Sequence, residues 1–248
     1  MDFAGQHVVI TGASSGIGRA TAKRIAAHRG KVTLIARSAR ALAEAVDEIG
    51  VGASFIPADV GHKPEILAAL DLAVERNGPL DGLFLNAGAA GMFGATADYT
   101  DAAFEEVMRV NVTSPFWSVR HVLPAMMGRG KGSILVSGSL ASERGTAGNP
   151  GYLVSKHAVL GLMRAVAMEA APSGVRSNCI EFGFIDTPML QSVPEAAKAK
   201  MAGKTPQRRV GRPEEAAAVA AFLLSDDSSH VTAQAWAVDG GLLGTLEF

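Results

Sequence analysis

Seven short runs of β-branched and other apolar residues recur along this chain, most of them followed by an Ala-rich amphipathic stretch. The runs are "HVVIT" (7–11), "VTLIA" (32–36), "SFIPA" (54–58), "GLFLN" (82–86), "SILVSG" (133–138), "VRSNCIE" (175–181) and "AWAVDG" (235–240). Residues 17–28, 39–49, 64–77, 101–127, 151–171 and 213–224 carry helical spacing. A strand with one wet face alternates apolar and polar side chains. These runs do not, so a parallel sheet covered on both faces is predicted. Repeated βα units with right-handed crossovers give a doubly wound Rossmann-type α/β fold with helices on both faces. No linker, repeat or low-complexity segment interrupts the pattern, which implies one domain over 1–248.

The 248 residues suffice for a sizeable core, and the formal net charge is −1. That balance argues against a nucleic-acid or membrane-surface partner, which would select a basic face. Cys179 is the single cysteine, so no internal disulfide framework exists and a reducing compartment is expected. The opening "MDFAGQHVVITG" lacks a basic stretch followed by a long apolar one. The most apolar segments are broken by Arg164, Glu169 or turn residues before membrane-spanning length. A cytoplasmic protein with a small-molecule substrate is the expectation. No H-E-x-x-H or Cys/His cluster appears, so no catalytic metal is expected.

In a doubly wound sheet, ligands bind outside the carboxyl ends of the strands. Gly12, Asp59, Asn86, Ser139 and Gly183 all fall at such ends. "TGASSGIG" (11–18) joins the first strand to the first helix, where Gly12, Gly16 and Gly18 let backbone N–H groups approach a phosphate. A Walker A loop would place Lys after the second glycine, but Ile17 stands there. "GASSG" (12–16) also fits a nucleophile elbow with Ser14 as nucleophile, which is the serine-hydrolase alternative. Only eleven residues precede Gly12, too few for the strands and oxyanion loop that such a hydrolase builds first. A dinucleotide loop fits better. Tyr152 and Lys156 lie four apart on a predicted helix and so share one face. A free tyrosine hydroxyl titrates near pH ~10, and an adjacent ammonium favours its ionised form.

"TGASSGIG", "NAG" (86–88), Asn111 in "VNVTSP", Ser139, "YLVSK" (152–156), "GRPEE" (211–215) and "VDGG" (238–241) occur in one order. Together they resemble the short-chain dehydrogenase/reductase family in its compact single-domain form, over essentially the whole chain. The resemblance implies an NAD(P)-dependent oxidoreductase interconverting a carbonyl and a secondary alcohol. Tyr152 would exchange the proton with the substrate oxygen, Ser139 would hydrogen-bond that oxygen, and Lys156 would hold the nicotinamide ribose. Asn111 would hold a water linking Lys156 to solvent, or kink its helix, or both. The dinucleotide would further meet Gly12, Ser14, Ser15, Gly16, Ile17 and Gly18, with Asp59 and Val60 near the adenine. Asn86, Ala87 and Gly88 would follow on the fourth strand, with Asn86 mainly bracing the sheet, and Gly183, Ile185 and Thr187 would close the nicotinamide side. A homo-oligomer, tetramer or dimer, is implied through helices 101–127 and 151–171. A regulatory nucleotide-binding protein on the same fold is the remaining alternative, and its relatives typically lose the tyrosine–lysine pair.

Some positions depart from the family pattern. Phe182 stands where Pro usually precedes Gly183, and its ring could narrow the pocket, stack on an aromatic substrate or point into the core. The second predicted strand ends at Ala36, followed by Arg37 and Ser38 with no acid before Glu44. An NAD-selecting site would carry a carboxylate there, whereas Arg37 and Ser38 suit a 2′-phosphate. NADP(H) is therefore expected over NAD(H), an NAD-dependent alcohol dehydrogenase being the alternative. Residues 188–206 should form a lid with Met189 and Leu190 facing an apolar substrate. His157 is expected to pack off the catalytic face, and Arg208, Arg209 and Arg212 to form a solvated or subunit-contact basic run.

Overall fold

The strand His7–Thr11 (β1) is buried at all five positions because a strand pairs on each side and helices cover both faces. In the computed structural model, which describes residues 1–191 and 193–245, it is joined by Lys31–Ala36 (β2), Ala53–Pro57 (β3), Gly82–Leu85 (β4), Gly132–Ser137 (β5), Val175–Phe182 (β6) and Ala235–Val238 (β7). Their order is β3-β2-β1-β4-β5-β6-β7, with every pairing parallel. The chain winds one way from β1 to β3, returns, and continues the other way from β4, so the predicted double winding is present.

Helices Gly16–Ala27 (α1), Ala39–Ile49 (α2), Lys63–Asn77 (α3), Asp101–Met108 (α4), Ser114–Arg129 (α5), Pro150–Ala170 (α6), Pro188–Gln191 (α7), Glu195–Lys204 (α8) and Pro213–Leu224 (α9) follow. One apolar cluster joins Val9, Leu83, Ile134 and Cys179 to α3, α5 and α6. The other joins Val8, Ile10, Phe84 and Ile180 to α1, α2 and α9. Alternate residues of each strand thus serve opposite layers. Among the described residues no helix is long and apolar enough to cross a membrane.

The segment 101–127, expected as one helix, has a π-helical turn over Arg109–Thr113. Ser114 N–H reaches back five residues to Arg109 O, and the next residue, Pro115, has no N–H to continue an ordinary ladder. The turn swings Asn111 inward, to 3 % exposure. The expected lid forms two short helices, α7 and α8; its Ser192 lies outside the described residues.

Candidate active site

The loop from β1 to α1 turns at Gly12, whose φ is +65°. A Cβ there would strike Ala87 Cα at 2.8 Å, so the loop lies directly on the chain leaving β4. Ser15 caps α1 through its backbone only, leaving no side chain over the first-turn N–H groups. Ser14, Gly16 and Ile17 are half-buried, Gly18 is buried, and Thr187 Cγ2 reaches within 3.1 Å of where a Cβ on Gly16 would stand. Thr187 thereby brings the segment after β6 against the loop, while the buried Ile185 packs on Gly211. Gly183 packs against Asp239, where a Cβ would lie 2.6 Å from its Cα. This bare backbone cradle at a helix N-terminus fits a dinucleotide pyrophosphate.

Asn86 ties the strand ends together. Its Nδ2 donates to Thr11 O and Gly12 O, both at 3.2 Å, and its Oδ1 accepts from Ser137 Oγ at 3.2 Å. Ala87 N–H donates to Thr11 Oγ1 at 3.1 Å. After β3, Asp59 Oδ1 accepts from Gly61 N–H at 2.8 Å, beside the buried Val60. Ser38 caps α2 by accepting from Ala41 N–H at 3.3 Å. Arg37 is exposed at the end of β2 and forms no hydrogen bond or ion pair among the described residues.

The tyrosine and lysine share a face of α6 as their spacing requires. Lys156 is buried, its Nζ 5.4 Å from the Tyr152 ring centroid and donating to Ser137 O at 2.7 Å. The Cβ position of Gly88 lies 3.4 Å from Asn111 Oδ1 and 3.9 Å from Lys156 Nζ, so the carboxamide and the ammonium converge on one point. Asn111 Oδ1 accepts from Ala89 N–H at 2.8 Å, and its Nδ2 donates to Ala89 O and Ser155 Oγ, both at 3.0 Å. The side chain thus ties the π-helical turn to the chain after β4 and to α6. Ser139 is half-buried, starts the 3₁₀ turn Leu140–Ser142 and accepts from Ala141 N–H at 3.2 Å.

Several residues that position this site went unread in the sequence. Asn149 caps α6, accepting Tyr152 N–H at 3.2 Å and donating to Ala90 O at 2.7 Å. Asn before Pro is a helix-start signal, and it was there to be found. Tyr99 lies against α6, its hydroxyl 2.6 Å from the Cβ positions of both Gly91 and Gly151. Arg109 binds Gly61 O, fastening the loop after β3 to the π-helical turn. Phe93, 78 % exposed, stands out from the loop after β4. No local pattern marks Tyr99 or Arg109, because the partners that place them here are distant in sequence.

One further expectation, that for His157, needs correction, and the surroundings of other residues are now defined. Phe182 packs with Ile17 and Val238 against the α1–α9 layer, on the opposite face of β6 from Cys179. The ring is half-buried there, which supports the core reading among its three. His157 is exposed rather than packed, facing Leu153 O at 3.0 Å. Arg209 grips Glu215 through two hydrogen bonds of 2.7 and 2.8 Å, which holds that carboxyl down at about 2, so the basic run is partly neutralised. Burial pushes the Cys179 thiol up to about 12. Among the described residues no histidine is hydrogen-bonded to Ser14, and no group of three or more His, Cys, Asp or Glu could hold a metal.

Known proteins share this sequence pattern and fold. Residues 12–243 match the family described as enoyl-(acyl carrier protein) reductase. A cyclohexanol dehydrogenase from Acinetobacter sp. (strain SE19) is 36 % identical, covering 96 % of this chain and 95 % of its own. A cis-4-hydroxycyclohexanecarboxylate dehydrogenase from Sinomonas cyclohexanicum is 36 % identical, covering 96 % and 97 %. The crystal structure of a levodione reductase superposes with a TM-score of 0.95 at 35 % identity, covering 98 % of this chain and 100 % of that one. Fold, site and relatives together define an NAD(P)-dependent oxidoreductase acting on CH–OH and C=O groups. The chain belongs to the short-chain dehydrogenase/reductase family, in its compact single-domain form.

Proposed function

We propose that the protein is an NADP(H)-preferring reductase and dehydrogenase for alicyclic ketones and secondary alcohols. The observation that carries the reading is the convergence of Lys156, Asn111 and Tyr152 at the ends of β4 and β5. When bound, the nicotinamide supplies or accepts the hydride. Tyr152 Oη gives a proton to the carbonyl oxygen in reduction and takes it from the alcohol in oxidation. Ser139 Oγ hydrogen-bonds the same oxygen and holds it toward Tyr152. The Lys156 ammonium, set over the Tyr152 ring, binds the ribose hydroxyls. Asn111 holds its turn open so that a water can relay protons to Lys156.

Glycine-loop residues Gly12 to Gly18 hold the pyrophosphate, and Asp59 with Val60 borders the adenine. Arg37 and Ser38 take the 2′-phosphate, and the Arg37 guanidinium is unengaged and exposed at the right strand end. An alicyclic substrate is supported by two relatives whose names carry a cyclohexane ring. Half-buried Leu190 and exposed Met189 and Phe93 offer apolar surface beside the site. Phe104, Phe116, Val154 and Met168 are exposed on α4, α5 and α6, which supports a homo-oligomer through those helices.

The test is nicotinamide absorbance with cyclohexanol and cyclohexanone, each with NADP(H) and NAD(H). Turnover with a ten- to a hundredfold preference for the phosphorylated cofactor is expected, because one charge-assisted hydrogen bond is worth about 1.5–3 kcal/mol. No turnover with either cofactor would overturn the substrate class, and a preference for NADH would overturn the cofactor assignment.

A further inference from the structure

Near the end of β6 the chain buries a carboxyl group that the mechanism above does not use. Glu181 is 1 % exposed, and its Oε1 has no hydrogen-bond partner. Gly138 makes room for it. A Cβ on that glycine would lie 3.1 Å from Glu181 Cγ, 2.6 Å from Cys179 Sγ and 3.0 Å from Ser142 Oγ. Gly138 N–H donates to Ile180 O at 2.8 Å, locking the end of β5 to the residue before Glu181. Ser139 follows at once, and its own N–H donates to the same Ser142 hydroxyl at 3.1 Å. Glu181 therefore packs beneath the turn that aims Ser139.

The surroundings oppose a charge there. Glu143, just past the turn, and Asp239, past β7, repel an ionised Glu181, and Arg164 of α6 attracts it. Arg164 is itself more than half exposed and only 4.0 Å from Glu143, so its help is shared and screened. Cys179, the neighbour on the same strand face, is a neutral thiol, and the nearby Lys156 ammonium is committed to Ser137 O. Burial first, then Glu143, raises the Glu181 carboxyl to about 7. A buried carboxylate oxygen without a donor is costly, so the neutral acid is the form that fits.

We propose that Glu181, uncharged, is a positioning residue for Ser139, and that losing its proton loosens the Leu140–Ser142 turn and misaims the serine hydroxyl. This rests on the role proposed above for Ser139. It gives alcohol oxidation an alkaline limb in pH that reports Glu181.

The experiment compares wild type with Glu181→Gln, which keeps the shape and removes the charge. Initial rates of cyclohexanol oxidation by NADP⁺ are measured across neutrality. Alongside, amide hydrogen exchange of residues 139–143, corrected for its intrinsic rate, is followed on the acid and alkaline sides. Wild type should lose about ten- to a hundredfold in kcat/KM for the alcohol on the alkaline side, the scale of a misplaced catalytic group. Its KM for NADP⁺ should not change, and protection of the turn should fall over the same interval. Glu181→Gln should hold an alkaline plateau and constant protection. An alkaline limb that persists in Glu181→Gln, or protection that changes equally in both proteins, would overturn the proposal. Failure of wild type to oxidise cyclohexanol would sink the substrate reading alone, and the exchange comparison would still decide on Glu181.

Discussion

Tyr152 and Lys156 stand on one helical face, yet their contributions separate by mutation. Tyr152→Phe removes the hydroxyl proposed to move the proton and leaves Lys156 bonded to Ser137 O. Turnover should fall by at least about a hundredfold, the low end for general acid–base catalysis, while cofactor affinity by fluorescence titration stays near normal. A Tyr152→Phe protein with substantial activity would sink the mechanism. Lys156→Ala should weaken cofactor binding and turnover together. At the other end of the cofactor, Arg37→Asp should reverse the ranking of NADPH and NADH in kcat/KM, since the new carboxylate repels a 2′-phosphate and accepts ribose hydroxyls. Phe182 behaves differently. Its ring packs into the α1–α9 layer, so Phe182→Ala should lower stability by about 1–3 kcal/mol in urea denaturation, below the range for a fully buried ring. The ranking of ketone substrates should not move, and a changed ranking would return the ring to the pocket.

At the scale of elements, the start of α6 decides where Tyr152 points. Asn149 holds both Tyr152 N–H and Ala90 O, so it couples the loop after β4 to the helix that carries the tyrosine. Asn149→Ala should cost about 1 kcal/mol as a lost cap. It should lower kcat more than it raises the KM for cofactor, whereas equal effects on the two would make Asn149 a stability cap alone. The seven strands were readable because each is an apolar run of its own, and their ends fell within a residue or two of the observed ones. The π-helical turn was not. Pro115 marks a break in hydrogen bonding but does not say whether the helix stops or bulges, and Asn111 settles it through Ala89 and Ser155, far off in sequence. The same holds for Tyr99 and Arg109, whose partners only the assembled fold supplies. Glu181 was visible as a letter, but its burial depends on Gly138, the residue just past the neighbouring strand β5.

For the molecule as a whole, two buried groups set opposing trends in stability around neutrality. Glu181 keeps its proton in the folded state up to about 7. Its stabilising contribution is complete below the ordinary carboxylate range, declines as pH rises, and is gone above about 7. Desolvation lowers the His7 imidazole, so the folded state resists protonating it and stability falls as pH drops below the usual histidine range. Urea midpoints across this window should show Glu181→Gln gaining on wild type as pH rises. A constant difference would place the raised ionisation elsewhere.

Every pairing in the sheet is parallel, so no strand has a tight-turn neighbour to pair with first. β1 takes β2 on one side early, but on the other it waits for β4, after two further βα units have been made. A topology dominated by distant pairings has a high contact order and folds slowly. During synthesis the segment from β1 to α3 leaves the ribosome with one long edge of its central strand open, and that edge invites chaperone binding or self-association until β4 closes it.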